Sequence, residues 1–274
     1  MVRYGMLIDL KSCSGCKACM TACKAYHDIP FGEHEGREYY RIWPEEVELG
    51  EYPYVIRNMT PLLCMQCEDP PCLVACPTPG AIYIREDGIV LIDEEKCDGC
   101  KLCIPACPYG ALYFREDKGI ADKCTFCVEN VDKGIQPECV KACPAEAMFF
   151  GDLGNPESQV SKLIRKWDAR PLRAEHGTKP SVYYTAHAAR LRGTIKSKKT
   201  GLTVPGAAVT LKCVDTEESN STSADSDGVF FFWNLKIRRK YLLDIETDGF
   251  SRSTRELYLD AEYTDLGPVL ITEL

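Results

Sequence analysis

The spacing of sixteen cysteines constrains this chain more than any other feature of its sequence. The chain holds 17 cysteines, and all except Cys213 lie between Cys13 and Cys143. They form four groups of four, and every group ends in the spacing C-x3-C. The groups are Cys13, Cys16, Cys19 and Cys23; Cys64, Cys67, Cys72 and Cys76; Cys97, Cys100, Cys103 and Cys107; and Cys124, Cys127, Cys139 and Cys143. Such regular spacing predicts thiols that act in sets, as metal ligands.

The first and third groups have the spacing C-x2-C-x2-C-x3-C of the bacterial ferredoxin run. Pro77, Pro108 and Pro144 follow the last cysteine of the second, third and fourth groups. In that run three thiolates hold one 4Fe–4S cluster, and the fourth ligates the neighbouring cluster. Four occurrences make chance negligible, and a disulfide framework gives no reason for these spacings. A structural zinc site at the fourth group, C-x2-C-x11-C-x3-C, stays open as the smaller alternative.

The rule that the fourth thiolate crosses over predicts the ligands of four clusters. The second and third groups are separated by a short hairpin, so they pair as one two-cluster unit. The first and fourth groups then pair around this inserted unit. The predicted sets are Cys13, Cys16, Cys19 and Cys143 for cluster one; Cys64, Cys67, Cys72 and Cys107 for cluster two; Cys97, Cys100, Cys103 and Cys76 for cluster three; and Cys124, Cys127, Cys139 and Cys23 for cluster four.

An internal repeat follows the cysteine groups. The segments "GAIYIREDG" and "GALYFREDKG" follow Cys76-Pro77 and Cys107-Pro108, and "AEAMFFGD" follows Cys143-Pro144 as a third copy. In the first copy, strands are predicted at 81–84 and 89–92 around the turn Glu86-Asp87-Gly88. The repeat indicates one duplicated supersecondary unit, with hairpins that cover the clusters.

Composition excludes several function classes. The formal net charge of −8 argues against a nucleic-acid partner. No apolar run approaches the roughly 18 residues expected of a membrane span. The start "MVRYGMLIDLKSC" lacks the apolar region of a secretion signal. We therefore expect a cytoplasmic protein, with a periplasmic location, reached by export beside a signal-bearing partner, as the alternative.

No motif predicts an active site in this chain. We find no nucleophile–base motif, no phosphate-binding glycine loop and no dinucleotide fingerprint. The scattered histidines His27, His34, His176 and His187 are expected in surface or interface roles. Five lysines flank the cysteines and could offset cluster charge, although solvated side chains are expected for most of them: Lys17, Lys24, Lys101, Lys123 and Lys141.

The sequence changes character after the cysteine-rich region. Residues 155–169 predict a helix capped by Asn155, with an apolar stripe that packs on the preceding domain. An extended connector follows, and from residue 188 short strands alternate with turns, as in an immunoglobulin-like sandwich. Strands are predicted at 191–196, 207–214, 229–233, 241–246, 255–259 and 269–272. Cys213 alternates with outward residues as a buried apolar side chain, and Asp225 and Asp227 are expected in a solvated turn.

The cysteine-rich region resembles a known family. The segments that carry the resemblance are "CSGCKACMTAC", "CMQCEDPPCLVACPTPGAI", "DGIVLIDEEKCDGCKLCIPACPYGA", "KCTFC", "PECVKACPAEAM" and "FGDLGNPESQVSKLI". They resemble the four-cluster electron-transfer subunits of molybdenum and tungsten enzymes of the DMSO reductase family. The resemblance implies single-electron transfer to or from a large catalytic subunit with a molybdenum or tungsten bis-pterin cofactor, in a heterodimer or a multiple of it. It also implies an external electron carrier.

The segments "GTIKSKKTGLTVPGAAVTL", "DSDGVFFFWNL" and "YLLDIETDGF" of the last domain resemble carboxypeptidase-regulatory or collagen-binding B-type repeats. The combination of this domain with four clusters indicates a smaller group within the family. With "GTKPSVYY" before the sandwich, the chain looks like small subunits of the pyrogallol–phloroglucinol transhydroxylase type. That resemblance implies a hydroxylated aromatic substrate for the partner. The alternative functions are a polyferredoxin subunit of a hydrogenase or formate-oxidising complex and, more remotely, a structural zinc protein.

The predicted fold is thus α+β. A double ferredoxin-like domain of two nested two-cluster units spans residues 1–155. A helix and linker span 156–187, and an all-β immunoglobulin-like sandwich spans 188–274.

Overall fold

The computed structural model describes residues 1–52 and 54–274. The described chain forms two units. The first comprises residues 1–48 and 57–185, and the second comprises residues 49–56 and 186–274. The domain limits drawn from sequence at residues 155 and 188 stay predictions.

The first unit is built from short elements. Its strands are β1 (Tyr4–Ile8), β2 (Glu33–His34), β3 (Arg37–Glu38), β4 (Ile42–Leu49), β5 (Ile56–Leu63), β6 (Ile82–Ile84), β7 (Val90–Ile92), β8 (Tyr113–Arg115), β9 (Ile120–Asp122), β10 (Met148–Asp152) and β11 (Val182–Tyr184), the ends of β4 and β5 reaching the residues counted with the second unit. Its helices are α1 (Ala18–Tyr26), α2 (Pro71–Ala75), α3 (Cys103–Ala106), α4 (Val128–Val131), α5 (Glu138–Lys141) and α6 (Gln159–Lys166), with a 3₁₀ turn at Ala174–His176. Of the helices described, none is long and apolar enough to cross a membrane.

The repeats form the hairpins that their turn chemistry predicts, with one difference. Strands β6 and β7 pair antiparallel, as do β8 and β9. Gly88 has a φ of 83° at the turn of the first hairpin, a conformation that glycine adopts without steric cost. The third copy forms the single strand β10, which pairs antiparallel with β1, and β1 also pairs parallel with β11. Residues Met6, Leu7 and Ile8 of this central strand are fully buried.

Helix α6 is shorter than the sequence predicts. It begins at Gln159, and the hydroxyl of Ser158 accepts a hydrogen bond from the Ser161 backbone N–H at 3.2 Å. The sequence predicts Asn155 as the N-cap, and that prediction is wrong. The Asn155 side chain instead accepts from the Glu157 backbone N–H, in a turn that precedes the helix.

The second unit is a sandwich of two sheets. Its strands are β12 (Ala189–Ser197), β13 (Ala208–Cys213), β14 (Ser219–Ser223), β15 (Val229–Leu235), β16 (Arg239–Glu246), β17 (Ser253–Leu259) and β18 (Tyr263–Ile271). One sheet has the order β15-β12-β18, and the other has the order β14-β13-β16-β17. Alternate residues of β12 are buried, as expected for a strand with one face on a core. Cys213 is 2% exposed in that core, which confirms its prediction as an apolar side chain.

Candidate metal centres

The cysteines predicted for cluster one line a single cavity. Cys13, Cys16 and Cys19 meet Cys143 around about 480 Å³ of empty space that includes some open solvent. The loop that carries the first three is held by Asp9, whose backbone carbonyl accepts from the Cys13 N–H at 3.0 Å. The fourth thiol arrives from the far end of the cysteine-rich region. The structure therefore brings together four thiols that are up to 130 residues apart in the chain.

Two further cavities are also lined by four cysteines each. One, of about 320 Å³, is lined by Cys64, Cys67, Cys72 and Cys107. The other, of about 310 Å³, is lined by Cys76, Cys97, Cys100 and Cys103. In each cavity three thiols come from one group and the fourth comes from the other group. These are the combinations that the crossing-over rule predicts for clusters two and three.

The remaining four cysteines lie together in the interior of the first unit. Cys23, Cys124, Cys127 and Cys139 are all buried. Burial raises the pKa of Cys139 well above its ordinary value, and the charges of Cys124, Cys23 and Cys127 raise it further. Burial and the charges of Cys124 and Cys127 likewise raise the pKa of Cys23. The four thiols thus lie in the same region of the interior, and the helices α1 and α5, which carry Cys23 and Cys139, are neighbours.

Backbone N–H groups are directed at several of these sulfur atoms. Ala111 donates to Cys107 Sγ at 3.5 Å, and Ala147 donates to Cys143 Sγ at 3.3 Å. Each donor follows its cysteine by four residues, so the two groups repeat the same local turn. Phe126 donates to Cys124 Sγ at 3.4 Å. Hydrogen bonds to sulfur favour the thiolate form, which is the form that binds metal.

The donor sets fit a multi-atom metal cluster better than a lone ion. Over the described part of the chain, no group of three or more His, Cys, Asp or Glu side chains is placed to hold a metal ion. The thiols instead line three separate cavities in sets of four. Burial raises the pKa of Cys72, Cys103 and Cys124 to about 12 each. Four buried thiolates in one place therefore need a bound cationic group, and thiolate sets of this kind are the ligands of iron–sulfur clusters.

The lysines near the cysteines divide into two kinds. The side chain of Lys17 is 51% exposed and pairs with Glu46, and that of Lys141 is 47% exposed and pairs with Glu138. Lys24 lies over the rings of Phe31 and Tyr40. The solvated role that the sequence suggests is therefore correct for Lys17 and Lys141. Lys123 is the exception among these lysines, because it is only 1% exposed.

His27, for which the sequence predicts a surface or interface role, lies close to one of the predicted ligands. Its Nε2 atom lies 3.3 Å from Cys127 Sγ, within the set of cluster four. Burial, and then the charge of Arg41, lower the pKa of His27 to about 4. The ring is thus neutral near pH 7 and has one N–H to donate. Its position four residues after Cys23, at the end of α1, is the only local signal in the sequence.

Two families of protein domain match the chain. The family described as a 4Fe-4S dicluster domain matches residues 55–153, and the family described as a carboxypeptidase regulatory-like domain matches residues 190–266. The first match covers the second, third and fourth cysteine groups. The fold and these thiol sets define an iron–sulfur protein of the ferredoxin type, followed by a β domain.

Comparison with similar proteins shows which kind of iron–sulfur protein this chain is. The chain is 40% identical to the B subunit of selenate reductase from Mesobacillus selenatarsenatis, over 67% of this chain and 72% of the relative. It is 39% identical to the B subunit of sulfite dehydrogenase from Allochromatium vinosum, over 67% of this chain and 83% of the relative. It is 38% identical to the B subunit of tetrathionate reductase from Salmonella typhimurium, over 66% of this chain and 72% of the relative.

The chain belongs to the family of iron–sulfur subunits of molybdopterin enzymes. Its function is that of an iron–sulfur electron-transfer subunit, which works with a catalytic partner. This finding favours the main prediction from sequence over the polyferredoxin alternative.

Proposed function

We propose that this chain relays single electrons through four 4Fe–4S clusters. The electrons would pass between a molybdenum or tungsten bis-pterin centre in a large partner subunit and an external carrier. The observation that carries the proposal is the lining of three separate cavities, each by four cysteines in the predicted combination. When bound, each cluster supplies a centre that accepts or donates one electron.

The proposed ligands follow from these sets. Cluster one is held by Cys13, Cys16, Cys19 and Cys143; cluster two by Cys64, Cys67, Cys72 and Cys107; cluster three by Cys76, Cys97, Cys100 and Cys103; and cluster four by Cys23, Cys124, Cys127 and Cys139. The pairing makes two nested two-cluster units, the inner one formed by the second and third groups. The adjacency of α1 and α5, which carry Cys23 and Cys139, supports the outer pairing.

Exposure of the cysteines suggests where electrons enter and leave. Cys16 in set one and Cys100 in set three are exposed, whereas every cysteine of set four is buried. In set two only Cys107 is partly exposed. Clusters one and three would therefore exchange electrons with the partner and the carrier, and clusters two and four would connect them. The first unit's residues bind the clusters, direct N–H donors at their sulfur atoms and exclude water from clusters two and four.

The experiment that tests this proposal is metal analysis of the native complex. Purified complex should contain about sixteen iron atoms for each copy of this chain, four for each cluster, together with molybdenum or tungsten in the partner. Zinc with little iron would overturn the proposal in favour of a structural zinc protein. Iron without a pterin-binding partner would point instead to a polyferredoxin of another complex.

We also propose that the partner acts on a hydroxylated aromatic compound. The order of the two matched domains, dicluster first and carboxypeptidase regulatory-like second, supports this proposal because it agrees with the transhydroxylase-type resemblance. The names of the relatives suggest inorganic oxyanions such as selenate or tetrathionate instead. Turnover by the isolated complex decides between them. Activity with the oxyanions and none with trihydroxybenzenes would refute the aromatic substrate.

A further inference from the structure

Lys123 is a fully buried lysine beside the proposed ligand Cys124. It is 1% exposed and ranks among the largest fully buried side chains described. Lysine is almost never fully buried unless its charge is paired. The role of this ammonium group is therefore a question that the proposed ligand sets leave open.

The partners of the ammonium group lie on two sides of it. Lys123 Nζ donates to the backbone carbonyl of Cys124 at 3.2 Å and also to that of Val90. Cys124 belongs to the set of cluster four. Val90 lines the cavity that holds the set of cluster two. The cation is thus held between two of the proposed clusters, and neither of these hydrogen-bond partners is a carboxylate.

Gln66 closes this arrangement into a ring of hydrogen bonds. Its Nε2 donates to the same Cys124 carbonyl at 2.8 Å, and its Oε1 accepts from the Val90 N–H at 2.7 Å. Gln66 is 0% exposed. Val90, Gln66, Cys124 and Lys123 therefore form a buried polar network whose geometry fixes the position of Nζ. Such a network is stable only when each member is satisfied.

Two neutral carbonyls do not offset the cost of burying a cation. Removing an ion from water carries a large free-energy penalty, so a negative charge must lie nearby. Lys123 adjoins Cys124 in the chain, and Val90, whose carbonyl accepts from Lys123 Nζ, lines the same cavity as Cys67 and Cys72. These thiols belong to sets two and four. The negative charge that accompanies Lys123 is therefore that of the two thiolate-bound clusters.

We propose that Lys123 is a fixed counter-cation shared by cluster two and cluster four, and that it raises the reduction potentials of both. One-electron reduction adds one negative charge to a cluster, and a nearby fixed cation stabilises that charge. The electron comes from the reductant of the titration, and no proton transfer is required. This inference rests on the ligand sets proposed above.

The test is a potentiometric titration of the intact complex, followed by EPR, with Lys123→Met and Lys123→Gln. Both variants remove the charge, and only glutamine keeps an N–H donor for the carbonyls. We expect two of the four centres to become harder to reduce in both variants. The expected change is roughly tenfold in the one-electron equilibrium, which corresponds to about 59 mV. The other two centres should keep their potentials, and iron content should stay unchanged.

Two control variants separate charge from structure. Lys141→Met removes an exposed lysine that also flanks the fourth cysteine group, and solvent screening should leave all four potentials nearly unchanged. Gln66→Met breaks the same ring without removing a charge, so it should shift the two potentials much less than Lys123→Met.

Several results would overturn the inference. They are a Lys123→Gln protein that titrates like the wild type, an equal shift of all four centres, and loss of iron from sets two and four in both Lys123 variants. The last result would assign the lysine to cluster assembly. A wild-type complex with far fewer than about sixteen irons would instead refute the ligand sets, whatever the lysine variants do.

Discussion

The cores of the two units contain different kinds of side chain. Five cysteines from the predicted ligand sets belong to the main apolar cluster of the first unit: Cys23, Cys64, Cys67, Cys124 and Cys139. Cys213 is the only cysteine among the described buried residues of the sandwich core, and alanine, branched aliphatic and aromatic side chains make up the rest. Helices α2 to α5 have four or five residues each, whereas the sandwich strands run from five to nine. Helices this short have little stability of their own.

This difference predicts which unit depends on its cofactor for stability. A metal site that is absent from the unfolded chain contributes its binding free energy to folding. The first unit, with ligands in its core and little regular structure, should therefore draw much of its stability from the clusters. The second unit buries a continuous apolar core between two sheets and should fold without metal.

Removal of iron should give the largest effect and tests the comparison directly. When the full chain is treated with an oxidant and an iron chelator, residues 57–153 should lose backbone protection. Residues 189–271 should stay protected, because no predicted ligand lies there. Hydrogen exchange followed by mass spectrometry reads both regions in one sample. Continued protection of the first unit without iron would contradict the comparison.

Removal of a single ligand should have a smaller and more local effect than removal of all the iron. Cys143→Ser removes the thiol predicted to complete cluster one, so about four of sixteen irons and one EPR signal should be lost or altered. Cluster four should persist, although Cys143 belongs to the fourth cysteine group in sequence. The matched control is Cys213→Ser in the sandwich core, which should leave iron content unchanged. Loss of cluster four with cluster one intact would show that the crossed ligand assignment is wrong.

A cavity created in the sandwich core should destabilise the second unit and leave the clusters unchanged. Leu211 is fully buried, so Leu211→Ala should cost the second unit about 2–5 kcal/mol. Hydrogen exchange should accelerate in β12 to β18, and the EPR spectrum should not change. Leu270→Ala is the control, because Leu270 is 55% exposed on the last strand and should cost much less. An altered EPR spectrum in Leu211→Ala would show that the clusters sense the sandwich core.

The sequence predicts those parts that short-range patterns encode. The hairpins follow from a turn with glycine between alternating apolar residues, and β6 and β7 lie within one residue of their predicted bounds. The cysteine sets that line the cavities follow from the cysteine spacing. The run places three thiols in one loop and directs the fourth towards the neighbouring set. Strand β14, Ser219–Ser223, was not predicted. It is a polar edge strand with almost no burial, so hydrophobic periodicity carries no signal there.

The burial of Lys123 cannot be predicted from such short-range patterns. Nothing in "KCTFC" distinguishes it from the exposed lysines that flank other cysteines. Its burial depends on Val90 and Gln66, which lie 33 and 57 residues earlier in the chain. His27 is similar, because its neighbour Cys127 lies 100 residues away. Tertiary packing creates both contacts, and local sequence does not encode them.

The smallest expected effect concerns one carboxylate of the sandwich and its dependence on pH. Asp244 accepts hydrogen bonds from the hydroxyl of Thr254 and from Arg252 at 3.2 Å, and these partners hold the pKa of Asp244 below its ordinary value. Because the pKa of the folded state is the lower one, the stabilisation is complete above the unfolded-state pKa of about 3.9. It disappears as the pH falls through the folded-state pKa.

Asp244→Asn should therefore destabilise the second unit near pH 7 by at most about 1 kcal/mol, as for other partly exposed ion pairs. The difference from wild type should vanish at acidic pH, where both side chains are uncharged. Hydrogen exchange of β16 and β17, compared at the two pH values, measures it. Thr254→Val should weaken the same pH dependence without removing the carboxylate. A penalty for Asp244→Asn that persists unchanged in acid would show that the side chain acts through packing. In that case this ion pair would contribute nothing to the stability of the sandwich, which would sharpen its contrast with the cysteine-lined unit.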